Sequence, residues 1–432
     1  MNRKVALHTL GCKLNYAETS TIGRQFVERG FEIVDFTQPS DVYVLNTCSV
    51  TERAERECRQ IIRRALRQSP DAFIIVVGCY AQLRAGEIAA IEGVDLVLGT
   101  KEKFNILEHA GRFEKPATPQ VFVSCIDEAL LFAPSFSADA GGRTRAFLKI
   151  QDGCDFHCTF CTIPMARGTS RSQPAGAVIR QAQLIAEEGF KEIVLTGVNV
   201  GDYGRKEKGS LLELLKLLGS LGGVDRIRIS SIEPNLLSRE LVDFILESEK
   251  FCNHFHIPLQ SGSDRVLKSM RRRYLSDHYR SVVDYIKQKD PDAGIGADVI
   301  VGFPGESEQM FEETCSFLGE LPLSYLHVFT FSEREGTPAS NYNGSVEPRE
   351  RARRSEVLRM LGRRKRHDFY ARFGGRTLPV LFEGQLRAGM ASGLARNYVR
   401  VGAPSRAPLT NQIKNVAIRS VDDDVCLGTE VQ

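Results

Sequence analysis

The residues whose spacing most plainly suits chemistry are cysteines. Cys154-Asp-Phe-His-Cys158-Thr-Phe-Cys161 places three thiols on one short segment with C-x3-C-x2-C spacing. Three thiolates held this close can ligate three irons of a [4Fe–4S] cluster and leave the fourth iron without a protein ligand. The competing reading is a structural zinc knuckle, with His157 or a distant residue as fourth ligand. Such knuckles usually come as paired C-x2-C units, and no second pair follows in this chain.

A second triplet is dispersed. Cys12, Cys48 and Cys79 each end an apolar run: ALHTLGC, VYVLNTC and IIVVGCY. If those runs are parallel strands, their C-terminal ends share the sheet edge at which α/β proteins bind ligands. Distance in sequence then becomes adjacency in space. Cysteine is often simply buried, but the chain has only 11 in 432 residues. Three at successive strand ends favour a second three-thiolate cluster over packing. Cys58, Cys125, Cys252, Cys315 and Cys426 have no partners at useful spacing and read as packing residues. An odd cysteine count in a long chain does not describe a secreted disulfide scaffold. The repeated spacing points to metal in a reducing cytosol.

Three textures of sequence position these residues. Residues 1–128 alternate candidate strands (4–10, 42–45, 73–77, 95–98) with candidate helices (15–30, 52–68, 81–92), which predicts a parallel βα sheet domain. Residues 129–145 contain a breaker-rich stretch, APSFSADAGGRT, and read as a linker. From 146 to 366 the βα rhythm restarts, with candidate strands at 146–150, 192–196, 226–230, 254–258, 296–301 and 325–330. Six such strands suit a partial (β/α)6 barrel, whose chemistry collects at the strands' C-terminal ends. Residues 367–432 hold short strands (378–382, 398–401, 416–420, 425–431) between Gly and Asn/Asp turns, which predicts a small all-β barrel. His254-x-His256 is read as alternation placing two histidines on one strand face, not as a metal site.

CxxxCxxC at the end of the first barrel strand, with Phe160 just before the last cysteine, resembles the signature of the radical S-adenosylmethionine (radical-SAM) superfamily. The resemblance implies that the open iron at Cys154, Cys158 and Cys161 chelates S-adenosylmethionine, which an electron then cleaves to a 5′-deoxyadenosyl radical. It also implies roles on the barrel rim. Thr196 and Gly197 would bring backbone to the cofactor's amino group, and Ser231 and Glu233 would lie near its ribose or the substrate. Gln260 follows the fourth strand, and Val301, with Gly302 and Pro304, would shape an adenine pocket. Ordinary turn chemistry is the alternative at each position.

Two cysteine triplets on successive domains, followed by a β domain, resemble the methylthiotransferase family over nearly the whole chain. That family joins an N-terminal three-cysteine domain to a radical-SAM core and a TRAM-type RNA-binding β domain. Here the last is suggested by SGLARNYVR, with Asn397, Tyr398 and Arg400. The resemblance implies two [4Fe–4S] clusters, a low-potential electron donor and a sulfur donor. The Cys12, Cys48 and Cys79 cluster would carry or donate sulfur, and two molecules of S-adenosylmethionine would supply the methyl group and the radical. The product is a C–S–CH3 group. GCKLN at residues 11–15, TERAERECRQIIRR at 51–64 and SSIEP at 230–234 resemble the branch acting on N6-threonylcarbamoyladenosine at tRNA position 37, beside the anticodon. The isopentenyladenosine branch usually carries Gly-Cys-Gln-Met-Asn at the first site, and the ribosomal-protein branch Gly-Cys-Pro-Lys-Asn. A threonylcarbamoyl carboxylate needs cations and hydrogen bonds, for which Arg271, Arg272 and Arg273 are candidates.

Binding to the tRNA anticodon stem-loop must come from local charge. With 57 Lys+Arg against 54 Asp+Glu the net charge is only +3. Arg53, Arg56, Arg59, Arg63, Arg64 and Arg67 recur at helical spacing within an arc of roughly 140°, and arginine forks suit phosphate. Residues 349–366 hold nine basic residues, including Arg363 and Arg364, against Glu350 and Glu356. Trp is absent, so base stacking would fall to Phe, Tyr or Arg. Hydrophobic content of 42% excludes global disorder. No run of eighteen apolar residues exists to span a membrane, and no targeting segment precedes the first strand, so a cytoplasmic protein is expected.

Overall fold

The computed structural model describes residues 3–49, 52–137, 144–387, 389–422 and 424–431, with the side chains of 52–55, Arg53 among them, outside the described residues. The first sheet is wholly parallel. It holds β1 (Lys4–Thr9), β2 (Glu32–Val34), β3 (Val42–Thr47), β4 (Phe73–Gly78), β5 (Leu96–Leu98) and β6 (Gln120–Phe122), in the order β2-β1-β3-β4-β5-β6. Burial on both faces explains the unbroken apolar runs of β3 and β4. Tyr43, Leu45, Ile74 and Val76 join one core, and Val42, Val44, Phe73, Ile75 and Val77 the other. The edge strands β2 and β6 are short and largely exposed, so their sequences carry no such signal. The expected helix at 81–92 is divided into Cys79–Leu83 and Ala85–Ala89, separated at Arg84, whose guanidinium reaches Glu335 at 2.6 Å.

The stretch expected to be a linker contains β7 (Ser135–Phe136), which pairs antiparallel with β8 (Arg145–Lys149). A two-residue ribbon, β9 (Gln151–Asp152) with β10 (Arg171–Ser172), brackets the cysteine loop. The barrel strands are β8, β11 (Glu192–Thr196), β12 (Arg226–Ile229), β13 (His254–His256), β14 (Gly294–Val301) and β15 (Tyr325–Thr330). They run parallel in chain order, with isolated bridges Ile227–Phe251 and Ser231–His256 joining β12 to β13. β8 and β15 are not paired, so the barrel is open. The helix Lys13–Glu28 of the first domain packs on β7 and β8 beside that opening, with Ala17 and Tyr16 against Phe147 and Val194.

Alternation divides each barrel strand. Ile193, Leu195, Ile227, Ile229, Ile295, Ala297, Val299 and Val301 pack against the surrounding helices. The opposite face carries Glu192, Thr196, Arg226, Arg228, His254, His256 and Asp298 into the lumen. A lumen this polar is stable only when its groups are paired, and Arg228 donates to Glu192 at 2.7 and 3.3 Å.

The last domain is a closed barrel of β16 (Thr377–Arg387), β17 (Met390–Ala395), β18 (Arg400–Pro404), β19 (Ile413–Asp422) and β20 (Val425–Val431), in the order β16-β17-β18-β20-β19. The strand expected at 398–401 is displaced. Tyr398 has φ of 71°, a turn conformation, and the strand starts at Arg400. The helix Pro348–Ala371 runs from the radical-SAM region toward this barrel, across the boundary expected at 366/367.

Candidate active site

The Cys154–Cys161 loop leaves β9 and is pinned at its ends: Cys154 N–H donates to Gly168 O (3.0 Å) and Thr159 N–H to Met270 O (3.1 Å). Each of its three sulfurs already meets a donor. Phe156 N–H points at Cys154 Sγ (3.4 Å), Ile163 N–H at Cys161 Sγ (3.5 Å) and Arg272 Nη1 at Cys158 Sγ (3.0 Å). Such hydrogen bonds to sulfur tune cluster ligands. Burial pushes the Cys154 and Cys161 thiols up to about 12, with charge on the neighbouring cysteines adding to the effect. Three mutually repelling thiolates become stable together only around a cationic centre. This donor set fits an iron–sulfur cluster.

The second triplet gathers at the C-terminal edge of the first sheet. Gly11 turns with φ of +99°, and a Cβ there would lie 2.7 Å from Cys48 Cβ and 2.9 Å from its Sγ, so only glycine lets the Cys12 and Cys48 loops meet. Asn15 holds both: its Nδ2 donates to Leu10 O (2.8 Å), two residues before Cys12, and to Thr47 O (3.0 Å), one before Cys48. Cys79 opens the helix Cys79–Leu83 and is close enough to act electrostatically on Cys12. The chemistry of these three thiols on one rim also suits a cluster.

Two cavities lie between the triplets and share Asp298 and Phe329. One, about 470 Å³, is walled by Cys12, Lys13, Thr196, Gly197, Ser231, His254, His256, Tyr325, His327 and Tyr398. The other, about 240 Å³, is walled by Phe160, Cys161, Gln260, Ile300, Phe331 and Arg334. His256 bridges Ser231 Oγ (Nδ1, 2.8 Å) and Asp298 (Nε2, 2.8 Å), and His327 Nδ1 lies 3.1 Å from the same carboxylate oxygen. Burial would raise the Asp298 pKa, but hydrogen bonds from both imidazoles hold it well below the usual carboxylate range.

The Radical SAM superfamily matches residues 148–318, and an uncharacterized protein family, UPF0004, matches residues 4–99. The threonylcarbamoyladenosine tRNA methylthiotransferase MtaB of Bacillus subtilis is 41% identical over 96% of this chain and 93% of its own length. The chain belongs to the radical-SAM tRNA methylthiotransferases. A tRNA-2-methylthio-N(6)-dimethylallyladenosine synthase of Methylacidiphilum infernorum is 32% identical over 88% of this chain and 84% of its own. Among solved structures, the radical S-adenosylmethionine methyltransferase TsrM of Kitasatospora setae superposes with a TM-score of 0.59 at 13% identity, over 79% of this chain and 77% of that one. That likeness is one of fold. Family membership implies a [4Fe–4S] cluster and S-adenosylmethionine in this methylthiotransferase.

Several expected site residues are placed differently in this methylthiotransferase. Val301 packs in the barrel wall; its neighbour Ile300 shares the face of Asp298 and lines the smaller cavity, so the expectation was off by one strand position. Glu233 is committed to Arg272, which is almost wholly buried against Cys158. Arg272 is thus a cluster-side cation, not a receptor for a substrate carboxylate. Asn397 is buried, donating to Asp292 O (3.1 Å) at the junction with the barrel, and is not an RNA contact. Tyr398 stacks on His254 with ring centroids 4.5 Å apart and closes one end of the larger cavity. Arg400 is exposed.

The arginine helix Glu52–Gln68 buries Cys58, Ile62 and Ala65 and leaves Arg56, Arg63, Arg64 and Arg67 exposed, while Arg59 Nη1 donates to Tyr80 (3.2 Å). Much of the basic charge at 349–366 is neutralised, mostly by acids from other segments. Arg354 is buried with Glu306, Glu308 and Glu350, Arg351 pairs with Glu333, and Arg366 with Asp424. Arg363 and Arg364 remain exposed, each with a surface pair, Glu356 and Asp368. Among the described residues no helix is long and apolar enough to cross a membrane.

Sequence reasoning missed the charged group between the two triplets. Glu18 accepts from Lys103 (2.6 Å), Lys149 (3.0 Å) and Arg167 (3.0 and 3.1 Å), and Asp152 from Lys149 (3.0 Å) and Arg167 (2.9 Å), all buried. Arg167 Nη2 also donates to Asn15 Oδ1 at 2.6 Å. Burial opposes ionisation of Glu18, but Arg167, Lys103 and Lys149 outweigh it and hold its pKa well down. The one sequence signal was Glu18 itself, a carboxylate on the helix face that also buries Leu14, Ala17 and Ile22.

Proposed function

We propose that this chain converts N6-threonylcarbamoyladenosine at position 37 of tRNA to its 2-methylthio derivative, with two [4Fe–4S] clusters, one on each cysteine triplet. The observation that carries the reading is a pair of contiguous cavities, one reaching Cys12 and the other Cys161, whose mainly apolar walls carry a few convergent imidazoles, hydroxyls and a lysine. The clusters and two molecules of S-adenosylmethionine supply a carbon-centred radical and a methylthio group when bound. Cys154, Cys158 and Cys161 hold the first cluster, and Cys12, Cys48 and Cys79 the second. Phe160, Gln260, Ile300 and Phe331 enclose S-adenosylmethionine, with the apolar side chains meeting adenine. Thr196, Gly197 and Ser231 face the space between cofactor and substrate. The protein positions the modified base so that its C2 edge meets both cavities, and excludes water from it. A low-potential electron donor and a sulfur donor complete the system, acting on the anticodon stem-loop in the cytoplasm.

Imidazoles, hydroxyls and an ammonium are among the groups that line the larger cavity, which favours a polar modification over an isopentenyl group, since buried polar groups left unpaired reject an apolar analogue strongly. The relative at 41% identity carries the threonylcarbamoyladenosine name, and dimethylallyladenosine synthases appear at 31–33%. The test incubates reduced, reconstituted enzyme with S-adenosylmethionine, sulfide and tRNAs bearing either modification, followed by nucleoside analysis. Methylthiolation of the threonylcarbamoyl tRNA alone is the expected result. Reaction of only the isopentenyl tRNA would sink the substrate assignment and keep the reaction class.

The exposed arginines of the helix Glu52–Gln68 contact tRNA phosphates in this reading. Reversing Arg63, Arg64 and Arg67 to Glu is expected to weaken tRNA binding and to lower the log–log salt slope by roughly one per lost contact. Uncoupled cleavage of S-adenosylmethionine stays near normal. An unchanged affinity and slope would reduce the stripe to a solvated face.

A further inference from the structure

The larger cavity has unmet polar capacity. Thr196 Oγ1, Ser230 Oγ and His254 Nδ1 are buried there without a hydrogen-bond partner, and His254 is only 6% exposed. Lys13, immediately after Cys12, lines the same cavity, and among the described residues its ammonium has neither an ion pair nor a hydrogen bond. The other cations nearby are already engaged: Arg228 with Glu192 at 2.7 Å and Arg145 with Glu383 at 2.5 Å. Burial would raise the Tyr398 phenol, but Lys13, Arg145 and Arg228 outweigh it and hold its pKa below the ordinary value. This end of the cavity is therefore cation-rich and short of one anion.

We infer that Lys13 is the specificity-determining residue of this enzyme, pairing with the carboxylate of the substrate's threonylcarbamoyl group while Thr196, Ser230 and His254 meet its hydroxyl and ureido atoms. The inference rests on the threonylcarbamoyladenosine reading above and deepens it. Three features support the assignment. A carboxylate supplies the missing charge, where an isopentenyl chain would leave an ammonium and three polar atoms unpaired in a desolvated site. A threonylcarbamoyl group offers a carboxylate, a hydroxyl and ureido donors and acceptors, which matches the mixed set of orphan groups. Lys13 is also the chain neighbour of Cys12, so capture of the carboxylate fixes the base relative to the rim that carries the sulfur-donating cluster. Arg271, Arg272 and Arg273 do not line this cavity.

The test compares two substrates within each enzyme form: tRNA bearing threonylcarbamoyladenosine, and the same tRNA with the threonine carboxylate converted to its methyl ester. Equilibrium binding of the matching anticodon stem-loops and kcat/KM for methylthiolation are both measured. Wild type is expected to prefer the acid by roughly 100-fold, the loss typical of leaving one member of a buried charge pair without its partner. In Lys13→Met the acid-to-ester ratio falls to near one in both measurements, and in Lys13→Arg a preference for the acid survives. Because the ratio is internal to each form, partial loss of iron lowers both substrates together and leaves it unchanged. A Lys13→Met enzyme that keeps the wild-type ratio overturns the inference and leaves the substrate reading standing. A wild type inert toward threonylcarbamoyl tRNA but active on the isopentenyl form overturns both.

Discussion

Alanine at Cys154, Cys158 and Cys161 together is expected to leave about four of the about eight irons bound by anaerobically reconstituted protein, four per cubane, and to abolish S-adenosylmethionine cleavage. The expected loss of cleavage is complete because, in the proposed reading, these thiolates hold the cluster that binds the cofactor, and Cys161 lines the cavity in which the cofactor would lie. The reciprocal variant, alanine at Cys12, Cys48 and Cys79, retains about four irons and uncoupled cleavage but makes no methylthio product. Iron analysis, visible absorption and 5′-deoxyadenosine release read the two variants independently. Full iron in the second variant would remove the auxiliary cluster from that rim.

Replacing Arg167 by Met is expected to produce the largest loss of stability. Its guanidinium meets Glu18, Asp152 and Asn15 in a group with no access to solvent. Removing one partner of a buried ionic network typically costs about 3–5 kcal/mol, because the remaining charges stay buried without compensation. In a protein of this size that lowers the apparent melting temperature by about 3–6 °C. Arg167→Lys keeps the charge but cannot satisfy both carboxylates and the Asn15 amide through one fork, so an intermediate loss is expected. The consequence reaches the site, because Asn15 binds the carbonyls that precede Cys12 and Cys48. Arg167 ends the helix Ile163–Arg167 that follows Cys161. One side chain thus ties the loop of the first triplet to the loops of the second. A Met variant melting within about 2 °C of wild type would show that the network does not hold the two domains together.

The network also carries an imbalance. Lys103, Lys149 and Arg167 face two carboxylates, and Arg171 lies 3.6 Å from Asp152. Together they leave net positive charge beneath a rim of thiolates. Beside Cys12, Arg167 opposes the desolvation that pushes the thiol up.

The sequence was most informative where one residue type or one period decided the outcome. β11, β15 and the helix Glu52–Gln68 occupy the positions expected from the sequence, β11 as a wholly buried apolar run and the helix through the period that buries Cys58, Ile62 and Ala65. β2 and β6 escaped notice because edge strands need no apolar run. β17 was missed because Met390–Ala395 is rich in small residues, whose place in the closed barrel depends on neighbours supplied by β16 and β18. The 398–401 segment has the composition of a strand, yet Tyr398 is drawn into a turn that enters the barrel lumen. Gly296 has no Cβ to obstruct the Tyr325 ring beside that turn.

The sequence by itself determined the ligand chemistry on offer: three thiols at C-x3-C-x2-C spacing, three more that end successive apolar runs, and an arginine stripe on one helical face. Those features survive any rigid placement of the domains, because ligand type and periodicity are properties of the chain itself. Only the tertiary structure decided which charges are available. Arg272, Arg354 and Arg228 look like free cations in the sequence but are matched to Glu233, Glu306 and Glu192 from distant strands and loops. Lys13 stands in the sequence only as part of GCKLN, and among the described residues it is a cation left unmatched in the cavity. Pairing inside a low-dielectric fold is set by contacts between residues far apart in sequence, and no local pattern records them.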